Sequence, residues 1–390
     1  MPRGTPSRFF TLLGGTFVLC AFACSATAQT SASDPRVQSA IAAAVEKERG
    51  IYSGVTPVPA VLVGVWDGSG GSYVRAFGEA DVASDRPLTP GDHFRIGSNT
   101  KTFVISVLLQ LVDEGKLNLD DPLSRFSLGV TVPNATHITV RELCQMRSGL
   151  FEAYDVPEFN DMQMKPEMMF DPRTVIGWAV KQQSYFPPGA GYHYSNTNYL
   201  LLGLIIETVT GHTVANEIRN RLLTPFDLKQ TSYPDVQTMP EPWAHGYGLD
   251  PKRRWEDVSN TIPVSLMGAA GEMISDMEDI KQWVKLYVTG KTNGAGTQHA
   301  RMTCIPTGTG NVSFGLGIGC SAGWYGYTGG LPGYNTANYY FPENDITVVA
   351  WVTMQAEKPA PGVANAMFRD IAQIMTPGNL PFELDGASGH

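Results

Sequence analysis

Ser98 and Lys101 stand three residues apart at the start of the apolar segment FRIGSNTKTFVISVLLQLVDEGKL. Residues with this spacing lie on the same face of a helix, so the lysine amine is within reach of the serine hydroxyl. A serine hydroxyl is a weak nucleophile that needs a base, and a lysine serves as a base where burial or another cation lowers its pKa. The spacing indicates either a nucleophile with its base or a helix-capping serine beside a solvated lysine.

Two further segments carry polar groups suited to the same chemistry. Tyr194 and Asn196 lie in YHYSN, a loop that precedes a strongly apolar segment. There the phenol could carry a proton and the amide could hydrogen-bond a substrate. The segment YTGG, at 327–330, falls on an expected strand. Glycine within a strand often marks close approach by a ligand or another backbone.

A competing serine motif lies at 319–323, where GCSAG fits the G-x-S-x-G turn of α/β-hydrolases. That turn joins a strand to a helix and is followed along the chain by an acid and a histidine. Here the sequence continues as a strand, and His390 is the only histidine that follows. Ser321 is therefore not expected to be catalytic.

The elements that must position these groups follow a simple order. A helical pattern from about 35 to 49 precedes two β-rich segments joined by a hairpin turn at 67–71. A mostly helical stretch follows from about 98 to 290, then several strands and a final helix, PGVANAMFRDIAQIM. The order predicts an α+β fold: an antiparallel sheet flanked by terminal helices, plus a helical insertion domain. We expect the site at the seam between the two parts.

The first 28 residues have the pattern of a secretory signal peptide. Arg3 and Arg8 precede the apolar segment FFTLLGGTFVLCAFAC, and ATA ends at Ala28. Lipoprotein processing at Cys20 or Cys24 is the less favoured alternative, because neither cysteine follows the usual small residues. The chain is thus expected to be secreted or periplasmic, without a membrane span once the signal is removed.

The predicted domain organisation follows from these segments. The domain proper is expected at 29–378. Within it, a sheet subdomain covers about 35–97 and 262–375, and a helical subdomain covers about 98–261. Residues 379–390 are expected to form a flexible tail.

The charge of the chain limits its partners. The formal net charge is −9. Removal of the signal peptide takes away two arginines and no acidic residue, so the charge of the remainder falls to −11. An acidic protein of this kind is not expected to bind nucleic acid or an anionic membrane. The sequence leaves the oligomeric state open.

Three cysteines remain outside the signal peptide. In an oxidising compartment Cys304 and Cys320 can pair across a short loop, and three buried thiols are the alternative. Cys144 falls in the apolar pattern of ITVRELCQM and is expected in the core.

The motifs SNTK, YSN and YTG, in this order, resemble those of the serine β-lactamase and penicillin-binding superfamily. The similarity is greatest to the branch that holds class C β-lactamases, D-alanyl-D-alanine carboxypeptidases and class VIII-type esterases. It runs from about 40 to 375 and includes LQLVDEGKLNLDDPLS, PPGAGYHYSNTNYLLLG and GAAGEMISDMEDIKQW. The region around the nucleophile looks most like the secreted carboxypeptidases.

The resemblance implies a role for each candidate residue. Ser98 would carry the acyl group, Lys101 would help to take its proton, and Tyr194 would shuttle a proton to the leaving group. Asn196 would bind the substrate amide, and the backbone N–H groups of Ser98 and Gly330 would form an oxyanion hole. Substrate contacts are expected along one strand, at Tyr327, Thr328, Gly329 and Gly330. No metal or cofactor is expected, since the seven histidines show no H-E-x-x-H motif or close pair.

Two departures from the branch bear on the substrate. Its third motif usually begins with Lys or His, whereas Tyr327 stands here, and the preceding segment FGLGIGCSAGW has no arginine. A neutral phenol cannot supply the cation that helps to hold a free D-Ala carboxylate. Three functions therefore stay open. The first is a carboxypeptidase or β-lactamase-related hydrolase of a peptidoglycan peptide or other small molecule. The second is a class VIII-type esterase acting on short acyl esters. The third is a penicillin-binding sensor or scaffold that deacylates slowly.

Overall fold

The computed structural model describes Met1, Gly4 and residues 30–51, 58–162, 165–234, 236–354 and 362–382. The predicted signal peptide, apart from Met1 and Gly4, lies outside the described residues, as do the last eight residues of the predicted tail. Within the described ranges, no helix has the length and apolar character needed to cross a membrane.

Helices occupy the middle of the chain and both of its ends, whereas most strands lie towards the two ends. The α-helices are α1 Pro35–Ile51, α2 Thr100–Asp113, α3 Val140–Cys144, α4 Pro157–Met162, α5 Pro172–Ala179, α6 Thr197–Thr210, α7 Val214–Ile218, α8 Met277–Val288, α9 Ala295–Met302 and α10 Val363–Met375. The strands are β1 Ala60–Trp66, β2 Ser72–Asp81, β3 Arg86–Pro87, β4 Phe94–Arg95, β5 Tyr247–Leu249, β6 Trp255–Asp257, β7 Ile274–Ser275, β8 Ile305–Pro306, β9 Ser313–Phe314, β10 Gly319–Ser321, β11 Trp324–Leu331, β12 Tyr334–Phe341 and β13 Ile346–Val352.

The main sheet has nine strands in the order β3-β2-β1-β13-β12-β11-β10-β9-β8. Its pairings are antiparallel, as predicted. The turn at 67–71 forms the predicted hairpin between β1 and β2, and the Asp67 carboxylate closes it by accepting hydrogen bonds from the amides of Ser69 and Gly71. β5 and β6 form a small separate hairpin that the prediction of a mostly helical middle missed.

The sheet is covered by apolar packing on both faces, as β13 shows. Val348, Ala350 and Val352 face α1 and α10, whereas Val349 and Trp351 face the core that includes α2 and α8. Because both faces are buried, β13 is apolar at every position except Thr347 rather than alternating with polar residues. The helices between 100 and 223 pack on the side of the sheet that carries Val349 and Trp351.

The C-terminal segment is packed against the sheet as far as it is described. Thr376 is buried and accepts a hydrogen bond from the indole of Trp324. The ring of Phe382 packs edge-on against Tyr339 and Phe368. Residues 379–382, predicted to begin a flexible tail, are therefore held in place, because an apolar anchor follows the polar stretch.

The structure decides between a disulfide and three free thiols, the two alternatives that the sequence left open for the cysteines. Cys304 and Cys320 form a disulfide that joins the end of α9 to β10. Cys144 is a buried free thiol on α3, as expected, and burial raises its pKa.

Candidate active site

Ser98 lies in a tight 3₁₀ turn, at 97–99, that connects β4 to α2. The turn needs glycine at its first position, where Gly97 has a φ of 53°. Asn99 fixes the turn by donating from its side chain to the Ile96 carbonyl at 3.2 Å and to the Thr336 hydroxyl at 2.9 Å. The predicted helix start is thus confirmed, with the serine just ahead of α2 and held against β12.

Strand β11 approaches this turn closely because it carries glycine. A Cβ on Gly97 would stand 2.8 Å from the backbone nitrogen of Gly330. A Cβ on Gly329 would stand 2.0 Å from the Ile96 carbonyl oxygen. The Gly330 backbone amide is therefore brought next to the turn that carries Ser98, which is the arrangement that an oxyanion hole requires.

The Ser98 hydroxyl oxygen is shared by two donors. The Lys101 Nζ atom donates to it at 2.9 Å, and the Tyr194 hydroxyl donates to it at 2.9 Å. The structure thus brings the three predicted catalytic residues together around one oxygen atom, although Tyr194 is 96 residues away along the chain.

The Lys101 amine is fully buried, a costly position for a cation. It also donates to the Asn196 Oδ1 atom at 2.7 Å and to the Ala270 carbonyl at 2.6 Å. Burial lowers the pKa of Lys101 to about 7, and the charge of Glu152 opposes this shift. An amine with such a pKa is partly neutral near neutral pH and can act as a base.

The phenol of Tyr194 is shifted in the opposite sense. Burial raises the pKa of Tyr194 to about 12, and its hydrogen bond to Ser98 reduces the shift. The lysine is therefore the stronger candidate for the base, and the phenol remains protonated.

Tyr327 lies beside Tyr194 and not on the wall of the cavity next to Ser98. Its side chain is only 4% exposed, and its ring packs edge-on against Phe314. Among the described residues its hydroxyl has no hydrogen-bond partner with acceptable geometry, yet it lies close enough to Tyr194 for the two phenols to shift each other's pKa. Thr328 is half-buried, and Gly330 is the exposed residue of the motif.

Asn196 is the N-cap residue of α6 and connects the lysine to a buried carboxylate that the sequence analysis did not single out. Its Nδ2 atom donates to the Glu152 Oε2 atom at 3.1 Å, and its backbone nitrogen donates to the same oxygen at 2.7 Å. Burial raises the pKa of Glu152. Glu152 lies in FEAYDVPEF among other acidic residues, and no local signal distinguishes it from them.

A cavity of about 210 Å³ opens next to Ser98. The residues that line it in the described part of the chain carry no charged side chain: Ser98, Tyr154, Phe159, Asn196, Ile262, Met267, Ala270, Gly271, Gly330, Leu331 and Pro332. Tyr154 is fixed in this wall because its hydroxyl donates to the Met267 carbonyl at 3.0 Å. The arrangement suits a substrate that has no carboxylate close to its reacting carbonyl.

The competing serine has a structural role. Ser321 lies on β10, donates to the Asn311 side chain at 2.7 Å and accepts from the Phe382 amide at 3.0 Å. After Gly323 the chain continues into β11, so the strand-turn-helix of an α/β-hydrolase is absent from this described segment. Within the same described ranges, no group of three or more His, Cys, Asp or Glu side chains is placed to hold a metal ion.

Comparison with known sequences agrees with this geometry. The family model described as beta-lactamase matches residues 44–372. Protein flp of Staphylococcus aureus (strain COL) is 30% identical over 220 residues, which are 55% of this chain and 42% of that protein. The chain thus spans about two fifths of the length of that relative. The putative penicillin-binding protein PbpX of Bacillus subtilis (strain 168) is 25% identical over 304 residues, 77% of this chain and 72% of that protein.

Solved structures share the architecture over most of their length. A D-stereospecific amidohydrolase from Streptomyces sp. is 28% identical with a TM-score of 0.73, covering 84% of this chain and 98% of that one. D-amino acid amidase from Ochrobactrum anthropi SV3, in complex with L-phenylalanine, has a TM-score of 0.75 at 24% identity and covers 88% and 99%. An octameric penicillin-binding protein homologue from Pyrococcus abyssi has a TM-score of 0.73 at 24% identity and covers 90% and 78%. The last two show the α+β fold.

Proposed function

The chain belongs to the beta-lactamase family of serine hydrolases, and on that premise we propose that it hydrolyses esters and amides through an acyl-enzyme on Ser98. We further propose that its preferred substrates have a leaving group without a carboxylate. The observation that carries the first proposal is the Ser98 oxygen held at 2.9 Å by both the Lys101 amine and the Tyr194 hydroxyl.

Acylation begins with neutral Lys101. Its lone pair takes the hydroxyl proton while Ser98 Oγ forms a bond to the carbonyl carbon of the substrate, and the carbonyl π electrons move to its oxygen. The backbone N–H groups of Ser98 and Gly330 stabilise that oxyanion. When the carbonyl re-forms, the bond to the leaving group breaks, and the Tyr194 hydroxyl gives the leaving group a proton.

Deacylation repeats these steps with water. Tyr194 regains its proton from the Lys101 ammonium, which restores the neutral amine. Water then attacks the ester carbonyl of the acyl-enzyme while Tyr194 and Lys101 accept its proton. When the carbonyl re-forms, the bond to Ser98 Oγ breaks, and the same pair returns the proton to the serine. The low pKa of Lys101 and the high pKa of Tyr194 suit this division into base and proton donor.

The proposed substrate class rests on charge. The described lining of the cavity has no cationic side chain, and the third motif begins with Tyr327 in place of Lys or His. Charge-assisted hydrogen bonds are about twice as strong as neutral ones, so a free carboxylate gains less here than beside a cation. The 28% identity to a D-stereospecific amidohydrolase supports D-amino acid amides as a substrate class to be tested alongside esters.

Labelling and turnover test these proposals separately. A fluorophosphonate should label Ser98, as mapped by mass spectrometry, and Ser98→Ala should lose the label while Ser321→Ala keeps it. We expect p-nitrophenyl butyrate and D-phenylalaninamide to be turned over for many equivalents per protein, with little reaction of L-phenylalaninamide. A label on Ser321 would overturn the acyl-enzyme proposal. A single equivalent of product would point to a slow-deacylating sensor.

A carboxypeptidase acting on peptides that end in D-Ala-D-Ala is the second candidate. The similarity of the nucleophile region to secreted carboxypeptidases and the match to PbpX favour it. Its test is a diacetyl-Lys-D-Ala-D-Ala type peptide, assayed beside the ester and nitrocefin. A peptide kcat/KM above that of the ester would favour this candidate over the neutral substrates.

We also propose that the chain is exported to the periplasm or beyond. Its N-terminal pattern and the disulfide between Cys304 and Cys320 both support export, since disulfides persist in oxidising compartments. Sequencing the N-terminus of protein recovered from the periplasm should find Gln29 as the first residue. Full-length protein retained in the cytoplasm would contradict export.

A further inference from the structure

We infer that Glu152 is a positioning residue, which acts through Asn196 to aim the lone pair of Lys101 at the Ser98 hydroxyl. This inference rests on the proposed acyl-enzyme function and adds a residue to it. Glu152 is only 7% exposed and does not line the cavity next to Ser98. It would therefore act on the reacting groups without contacting the substrate.

The first step concerns which way the Asn196 amide faces. A carboxylate can only accept hydrogen bonds, and the Glu152 Oε2 atom accepts from both the backbone nitrogen and the Nδ2 atom of Asn196. The Oε1 atom of Glu152 is held by the Tyr154 amide at 2.9 Å. The amide is therefore fixed with Nδ2 towards Glu152 and Oδ1 towards Lys101.

The second step concerns the hydrogens of the amine. A neutral lysine has two N–H hydrogens and one lone pair. The Asn196 Oδ1 atom at 2.7 Å and the Ala270 carbonyl at 2.6 Å can only accept, so each holds one hydrogen. The lone pair of the neutral amine is then left for the third neighbour, the Ser98 hydroxyl, which receives the third N–H hydrogen when Lys101 is an ammonium. If the Asn196 amide were reversed, its NH₂ group would donate to the lone pair and compete with the serine proton.

Charge adds a second effect of the same residue. The titratable groups around the amine, apart from Glu152, are phenols whose pKa is raised by burial, so they are neutral at working pH: Tyr154, Tyr194, Tyr199 and Tyr327. The charge of Glu272, beyond the Ala270 turn, helps to raise the pKa of Tyr154 and Tyr233. The Glu152 carboxylate thus acts on Lys101 by opposing the loss of its proton.

The test is the rate of Ser98 labelling by a fluorophosphonate as a function of pH, because this rate reports the nucleophile without requiring turnover. Glu152→Gln can keep an amide oxygen towards Asn196 while losing the charge. Loss of the charge should lower the pKa of Lys101 further, so the acidic limb of the labelling-rate profile should move to lower pH by about one unit. Glu152→Ala removes the anchor as well and should lower the plateau rate by about a hundredfold. The matched control is Glu217→Gln, at a buried carboxylate held by Arg221 and His212, and its profile should coincide with that of the wild type.

An acidic limb of Glu152→Gln that does not move, or a plateau rate of Glu152→Ala equal to that of the wild type, would overturn the inference. If Glu152→Gln does not fold, as judged by circular dichroism, Glu152→Asp replaces it. The aspartate keeps the charge, but its shorter side chain does not reach Asn196. The acidic limb of the labelling-rate profile should therefore stay at the same pH while the plateau rate falls. An unchanged plateau, or a moved limb, would overturn the inference. Wild-type protein that is not labelled at Ser98 would refute the proposed function and the inference together, whereas labelling with coincident profiles refutes the inference alone.

Discussion

Gly329 faces the carbonyl oxygen of Ile96 with no room for a side chain, since a Cβ on Gly329 would lie 2.0 Å from that oxygen. Ile96 immediately precedes the turn that carries Ser98. The position of the nucleophile is therefore set in part by backbone contact with β11.

Substitution of this glycine should disturb both the fold and the site. Gly329→Ala must push β11 away from Ile96, and we expect it to lower the free energy of unfolding by about 1–3 kcal/mol, as overpacking does. Ester kcat/KM should fall as well. Gly330→Ala is the matched control, because a Cβ there meets nothing within 4 Å, and its stability should change by less than about 0.5 kcal/mol. Equal stabilities in guanidinium unfolding would contradict the close approach.

Removal of either polar partner of Ser98 should slow the reaction strongly. Lys101→Ala removes the base and Tyr194→Phe removes the proton carrier, and each should lower kcat by about a hundredfold or more. The measurement is steady-state hydrolysis of p-nitrophenyl butyrate, with Tyr73→Phe as a control at a tyrosine of β2 that packs on the opposite face of the sheet. Activity within a few-fold of wild type in both variants would mean that another group activates the serine.

The pH dependence follows from the lowered pKa of Lys101. A base acts in its unprotonated form, so activity is lost as pH falls through about 7 and is gained as pH rises through it. The kcat/KM for the ester should therefore rise between about pH 6 and pH 8 and then level off. Because the pKa of Tyr194 is raised to about 12, deprotonation of this phenol should cause no fall below about pH 10. A decline between pH 6 and pH 8 would rule out neutral lysine as the base.

A cation placed at the start of the third motif should change the choice of substrate. Tyr327→His should raise the ratio of kcat/KM for a D-Ala-D-Ala peptide to that for an ester, because a histidinium beside Tyr194 attracts the terminal carboxylate through its charge even though position 327 does not line the cavity. Tyr327→Phe removes the hydroxyl without adding charge and should leave the ratio low. The ratio should be measured below pH 6.5, where histidine is protonated. Efficient peptide cleavage by the unmodified protein, with esters ignored, would show that the missing cation has little importance.

Local patterns were sufficient for much of the fold and for the centre of the site. The three-residue spacing of Ser98 and Lys101 predicted their contact because helical geometry fixes it. The turn residues at 67–71 predicted the β1–β2 hairpin, and the order of elements predicted the antiparallel sheet. The contact and the hairpin depend on residues that are near one another in the chain, whereas the sheet was predicted from the order of the elements.

Other features, which depend on distant partners and carry no motif of their own, were not predicted. Glu152 is held by hydrogen bonds from Asn196, whose side chain in turn accepts from the Lys101 amine, whereas its own segment looks like any acidic loop. Tyr327 was expected to contact substrate, but the register of β11 against its neighbours buries it. The β5–β6 hairpin has strands of three residues, too short for a periodic pattern to be recognised.

The central position of β1, between β2 and β13, has a consequence for how the protein is made. Val61 pairs with Val352, and Lys47 of α1 forms an ion pair with Asp370 of α10. During synthesis β1 therefore emerges from the ribosome with one edge unpaired and one apolar face uncovered, and it remains so until nearly the whole chain has followed. The nascent protein should depend on chaperones over that interval, and release of a chain that stops before α10 should lead to aggregation.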